Sequence, residues 1–127
     1  MDFSNYLANA IVSATVRGTT YTSPSTAYLA LFLSNPTKDD TGLEVNGASY
    51  ARAVATFAPP VNGVAKNSSD IEYNSATTNW GTVTHVGIYD AETGGNLLYF
   101  TELAEAKNIE TGDIFKIATD NLTLTLN

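Results

Sequence analysis

Apolar positions repeat at two periods along this 127-residue chain, and the change of period divides it. Between residues 2 and 17, Phe3, Leu7, Ala10, Ile11 and Ala14 recur at spacings of four, seven, eight and eleven. Those spacings line one stripe of a helix. Asp2 and Ser4 are capping types at its start, and Gly18 is a stop after Arg17. The pattern predicts a helix over 2–17 and marks 1–18 as an N-terminal amphipathic helix or arm. Such a helix either lies over the open end of its own β-core or docks on a neighbouring subunit. The first reading is the stronger, because small domains pack their elements on one core.

From residue 19 to 127 the period changes to that of strands, and this stretch is expected to form the β-domain. Ala27–Leu33 is a continuous apolar run, the best candidate for a central strand, and Asn35-Pro36 ends it. A long loop follows from Thr37 to Ser49. Tyr50–Phe57 reads as the next strand, stopped by Pro59-Pro60. Short extended pieces are expected at Val64–Lys66 and Ile71–Tyr73. Gly81–Tyr89 is rich in β-branched residues and reads as a strong strand. Thr93-Gly94-Gly95 signals a turn, so Asn96–Glu102 should return antiparallel to it. Ile114–Ala118 and Leu122–Leu126 close the chain, the latter alternating Leu with Thr. The expected fold is mainly β: a single antiparallel β-sandwich or barrel-like domain of about seven to nine short strands with one N-terminal helix.

Composition narrows the chemistry more than the fold. There is no cysteine, which excludes disulfides, thiolate metal sites and cysteine nucleophiles. Charged residues are 15%, below the roughly 25% of an average soluble domain. The net charge of -7 repels phosphate backbones, so no nucleic-acid partner is expected. No apolar run approaches the roughly 20 residues that span a bilayer, so no membrane partner is expected either. The first residues lack a basic leader and apolar core, and synthesis in a bacterial host cytoplasm without encoded export is the expectation.

No catalytic set assembles from these residue types. His85 is the only histidine; strict alternation puts it on a face with Val83, Gly87 and Tyr89, without a nucleophile in sequence reach. Asp39, Asp40 and Glu44 form an acidic loop whose spacing is not that of a calcium-binding loop, so a solvated loop is the better reading. Glu102, Glu105, Glu110 and Asp113 flank Lys107, either as ordinary solvated loop or as a rim facing a basic partner. Asp90 and Glu92 have the residue types of a glycosidase pair but little chain to build a cleft. Trp80 and the seven tyrosines either fill the core or stack sugars in a carbohydrate-binding module. Gly94-Gly95 precedes a strand, not a helix, and so makes a turn rather than an anion site. No enzyme, cofactor or metal is expected.

One block is specific enough to suggest a family. Trp80-Gly81-Thr82-Val83-Thr84-His85-Val86-Gly87-Ile88-Tyr89-Asp90-Ala91, followed by Thr93-Gly94-Gly95-Asn96-Leu97-Leu98, resembles a family of small virion proteins of tailed bacteriophages. Tyr28–Leu33 with Asn35-Pro36-Thr37, Glu44 and Gly47 with Tyr50-Ala51-Arg52, Gly112-Asp113, and Leu122–Leu126 are similar to its other blocks in order. Glu102–Lys107 and Asn67-Ser68-Ser69 depart from the pattern. The resemblance implies a structural virion role without catalysis. Within that role the main reading is a capsid decoration (cement) protein on the outer surface of the major capsid protein shell, stabilising it. The alternatives are a tail, baseplate or fibre-associated structural protein, and a carbohydrate-binding module. The implied partners are the phage major capsid protein and the chain itself as a homo-oligomer, trimer ahead of dimer. The residues chosen as interface candidates are Phe3, Leu7 and Ile11 on the N-terminal stripe, Asp39, Asp40 and Glu44 in the loop, and Tyr50, Trp80 and His85.

Overall fold

The computed structural model describes residues 1–126; Asn127, the last residue of the expected β-domain, lies outside the described residues. The strongest strand signals form the centre of the main sheet. Its strands are β1 (Asp2–Phe3), β2 (Ala27–Phe32), β3 (Ala53–Ala55), β6 (Gly81–Tyr89) and β7 (Leu97–Ile109), in the order β1-β7-β6-β2-β3, with every pair antiparallel. Two ribbons complete the fold: β4 (Val64–Lys66) pairs with β9 (Thr123–Thr125), and β5 (Ile71–Glu72) pairs with β8 (Lys116–Ile117). The single helix among the described residues, α1 (Asn5–Val16), follows β1.

The fold is thus mainly β and antiparallel, with a sheet packed under ribbons rather than a closed barrel. The alternation of β2 explains the layering. Leu29 and Leu31 join Val86, Ile88, Ile71, Tyr73, Trp80, Phe115 and Leu122 in the main core, while Ala30 and Phe32 face the other side with Tyr89, Leu97 and Phe100. The Phe32 and Tyr89 rings stack there, 6.2 Å apart. The ribbons are held to the core by a buried polar residue. Asn67 donates to the carbonyls of Ser69 and Ala118 at 2.9 Å each and accepts from the Leu122 N–H at 2.9 Å. Every donor and acceptor position that matters there is filled, which is what makes a buried amide tolerable.

Several sequence expectations shift at their edges. The helix begins at Asn5 rather than residue 2, because Asp2 and Phe3 pair with Phe100 and Tyr99 of β7. Ser4 is the N-cap, accepting from the Leu7 N–H at 3.1 Å, and Gly18 follows the C-cap at φ 70°. The strand expected over Tyr50–Phe57 contracts to Ala53–Ala55, since Tyr50 and Arg52 turn their side chains into a polar cluster instead of a ladder. The strand expected to end at Glu102 runs on to Ile109, with a wide bulge at Leu103–Ala106, which have no register partner on β6. The closing Leu–Thr alternation narrows to Thr123–Thr125: Leu122 is buried but Leu126 is half exposed. A bulge between Val83 and His85 breaks strict alternation. Val83 therefore faces the main core beside Val86, and does not share a face with His85 as strict alternation required.

Candidate functional site

At the end of the sheet where β2 enters and β6 leaves, Arg52 organises the loops. It is a guanidinium in a chain with few charges, and its side chain is only 8% exposed. Nε and Nη2 donate to the two oxygens of Glu44 at 2.9 Å each, a bidentate pair. Nη1 donates to the carbonyls of Ala91 (2.9 Å) and Gly94 (2.7 Å). Its Cζ lies 3.7 Å above the centre of the Tyr89 ring, a cation–π contact. The same carboxylate accepts from the Tyr50 hydroxyl at 2.6 Å, and that hydroxyl accepts from the Leu31 N–H at 3.1 Å. The Tyr89 hydroxyl donates to Asp40. One side chain thereby ties the loop after β2, the approach to β3 and the β6–β7 turn into one rigid end.

The β6–β7 turn has the shape this clamp needs. Gly94 and Gly95 sit at φ 61° and 72°, and a Cβ on Gly95 would lie 2.5 Å from Asp90 Oδ1. Asp90 instead accepts from the Asn96 N–H at 2.7 Å and the Asn96 side-chain amide at 3.0 Å, so it is committed to the turn.

Beside the clamp lies an aromatic group. Tyr50 stacks on Tyr73 at 6.0 Å, Trp80 meets Tyr50 edge-on at 5.4 Å, and Phe115 meets Tyr73 edge-on at 5.7 Å. Trp80 Nε1 donates to the Ala48 carbonyl at 3.1 Å. A Cβ on Gly47 would lie 2.5 Å from the Trp80 ring, so glycine is required for the loop to close over it. Trp80 is 4% exposed. The indole is spent on packing and cannot offer a face to a sugar, and the Tyr50 hydroxyl is already bonded on both sides.

Burial pushes the phenols of Tyr50, Tyr73 and Tyr89 above their ordinary value of 10.0; for Tyr50 and Tyr89 the bonds to Glu44 and Asp40 add to it. The unfolded chain releases those protons near pH 10, whereas the folded chain keeps them. Stability is therefore fully present below pH 10 and falls as the pH rises past it. The urea midpoint should drop clearly between about pH 8 and about pH 11; an unchanged midpoint would contradict the packing described here.

The interface candidates fall into three places. Asp40, Glu44 and Tyr50 belong to the Arg52 clamp, with Trp80 against it. Asp39 lies at the start of α1, accepting from the Asn5 amide at 2.7 Å, near Lys38, whose Nζ donates to the Phe3 carbonyl at 3.1 Å. Phe3 packs edge-on against Tyr99 at 5.3 Å, Leu7 is buried, and Ile11 is half-buried farther along α1. His85 stands apart, half-buried opposite Phe32 and Glu102, with Nδ1 2.8 Å from the Thr84 hydroxyl oxygen. Sequence reasoning missed Arg52 as the hub. The available signal was one of only two arginines, placed after Tyr50-Ala51 in a charge-poor chain, with Glu44 eight residues before it.

Among the described residues, no three His, Cys, Asp or Glu side chains gather as a metal site, and no helix is long and apolar enough to cross a membrane. No curated protein matches the chain. A family model does, over residues 2–125, which takes in the clamp, the aromatic group and both sheet edges. On that match the chain belongs to the family described as podophage GP4 fiber I protein gp80.

Proposed function

We propose that this chain is a structural subunit of a fibre attached to the tail of a podophage particle. Membership of the family makes it a structural protein of a tailed-phage virion. The observation that carries the finer reading is the family's description as a fibre protein, matched over residues 2–125. It favours the tail or fibre alternative over decoration of the capsid surface by contact with the major capsid protein. The geometry fits a role without catalysis. The polar side chains of the clamp are bonded to one another and to loop carbonyls, so they hold shape rather than await a substrate. A fibre subunit must pass force between its neighbours without deforming, and a clamped sheet end suits that demand.

The two readings part when the chain is removed from the phage. Particles assembled without it should keep full, DNA-filled heads of unchanged heat resistance and lack a tail projection in negative stain. Particles with intact tails but heads that burst at lower temperature would sink the fibre reading and restore the decoration one, since a cement protein stabilises only the shell it binds.

A further inference from the structure

Helix α1 and the chain that leaves it frame a groove that the Arg52 clamp does not use. Tyr6, Asn9 and Ser13 recur on α1 at spacings of three and four, so they form one stripe, next to the stripe that buries Leu7. Gly18 takes φ 70° after the C-cap and reverses the chain. The Thr19 N–H then donates to the Ser13 carbonyl at 3.2 Å. Thr19–Thr22 therefore runs back along the stripe and leaves a groove of about 450 Å³. That volume is within the range of small-molecule sites, roughly 300–1,000 Å³.

The lining identifies the chemistry of the occupant. Of the eight lining residues, seven carry a hydroxyl, a phenol or an amide, and Ala10 is the single aliphatic one. None is charged. Among the described residues, none of those seven side chains is hydrogen-bonded within the chain, whereas every buried side-chain nitrogen and oxygen has a partner. The groove thus offers donors and acceptors that the fold itself does not spend, the reverse of the clamp. Two rings stand among them: Tyr6 is 46% exposed and Tyr21 half-buried. Burial raises the Tyr21 phenol above its ordinary value, and the Tyr6 phenol and the Asp90 carboxylate add to the rise, so both stand near it. Asp90 and the chain's net charge of -7 oppose an anion, and no carboxylate lines the groove to hold a cation. With no aliphatic side chain larger than Ala10, the lining has no pocket for an apolar side chain of a peptide. An uncharged sugar matches what remains. Its hydroxyls pair with groups that both donate and accept, and its C–H faces lie on phenol rings.

We propose that this groove binds a neutral oligosaccharide, with Asn9 and the threonine hydroxyls bonding its hydroxyls and Tyr6 and Tyr21 packing on its ring faces. The site is separate from the buried Trp80 group and independent of where in the virion the chain sits, so its failure leaves the fibre reading standing.

The test is an NMR titration of the labelled full chain with neutral trisaccharides of glucose, galactose, mannose and N-acetylglucosamine, set against trigalacturonic acid and an uncharged Gly-Ser-Thr hexapeptide. At least one neutral trisaccharide should bind with a Kd of about 0.1–5 mM and shift amides within residues 6–22. N9A and Y21A should each weaken it about fivefold or more, Y21F by less than Y21A because the ring stays, and V61A, at an exposed position remote in sequence, not at all. Circular dichroism checks that each variant folds. No binding of any of the neutral trisaccharides at about 20 mM, shifts confined to other residues, tighter binding of the acid or the peptide, or N9A and Y21A that bind as well as the wild type would each overturn the proposal.

Discussion

Replacing Trp80 by alanine should cost about 3–5 kcal/mol of unfolding free energy, the largest single loss expected in the chain. The indole is buried, meets Tyr50 and Tyr73 edge-on at 5.4 and 6.4 Å, and takes the Ala48 carbonyl as its acceptor. Truncation empties the space between the main sheet and the loop carrying Gly47, and it leaves that carbonyl without its donor. Domains of this size have about 5–15 kcal/mol in total, so the variant should be marginal. Trp80→Phe should cost less, because a ring still fills most of the gap. The measurement is a urea curve followed by circular dichroism, since Trp80 is the only tryptophan and its fluorescence disappears with it. A loss under about 1 kcal/mol would mean that the loop collapses into the space and the indole is not the keystone described.

Arg52→Ala should come next, at about 3 kcal/mol. Removing the guanidinium leaves the Glu44 carboxylate, 25% exposed, without its bidentate partner, and leaves the Ala91 and Gly94 carbonyls with no donor. The contact with the Tyr89 ring goes as well. Lysine should not rescue it, because a single ammonium cannot reproduce a planar fork that meets a carboxylate and two carbonyls together. Glu44→Gln alone should cost about 1–2 kcal/mol, and the double variant Glu44→Gln/Arg52→Ala should lose less than the sum of the two singles. Strict additivity in that cycle would show that the pair is not coupled. Hydrogen exchange in the β6–β7 turn should also speed up in Arg52→Ala, since the clamp is what ties Ala91 and Gly94 to the sheet.

What could be read from the sequence was what local chemistry dictates. Gly81–Tyr89 forms a strand over the limits its β-branched residues predicted, and Ala27–Phe32 follows the apolar run. Thr93-Gly94-Gly95 turns the chain because two glycines take positive φ there. The block from Trp80 to Leu98 that resembled phage virion proteins proves to be a buried tryptophan, an inner strand and that turn, constrained by packing in the first two and by backbone conformation in the exposed third. What could not be read depends on distant residues. Arg52 finds Glu44, Ala91, Gly94 and Tyr89 only after folding. Glu102–Lys107 looks like a charged loop, yet its two ends pair with His85 and Val83 of β6 while Leu103–Ala106 bulge out between them, a pairing only the folded sheet sets. Asp2 and Phe3 are too short a segment to show a period, so the first strand was hidden inside a helical pattern. The choice between capsid and tail turns on surface contacts that no buried pattern encodes.

The most direct test of the account is a cryo-EM reconstruction of the intact particle at a resolution that separates strands. The fold described here, with its long β7 and the Arg52 clamp at one end, should fit density in an appendage of the tail. Density for it seated on the capsomers of the head, with the tail appendages built from other chains, would contradict the account.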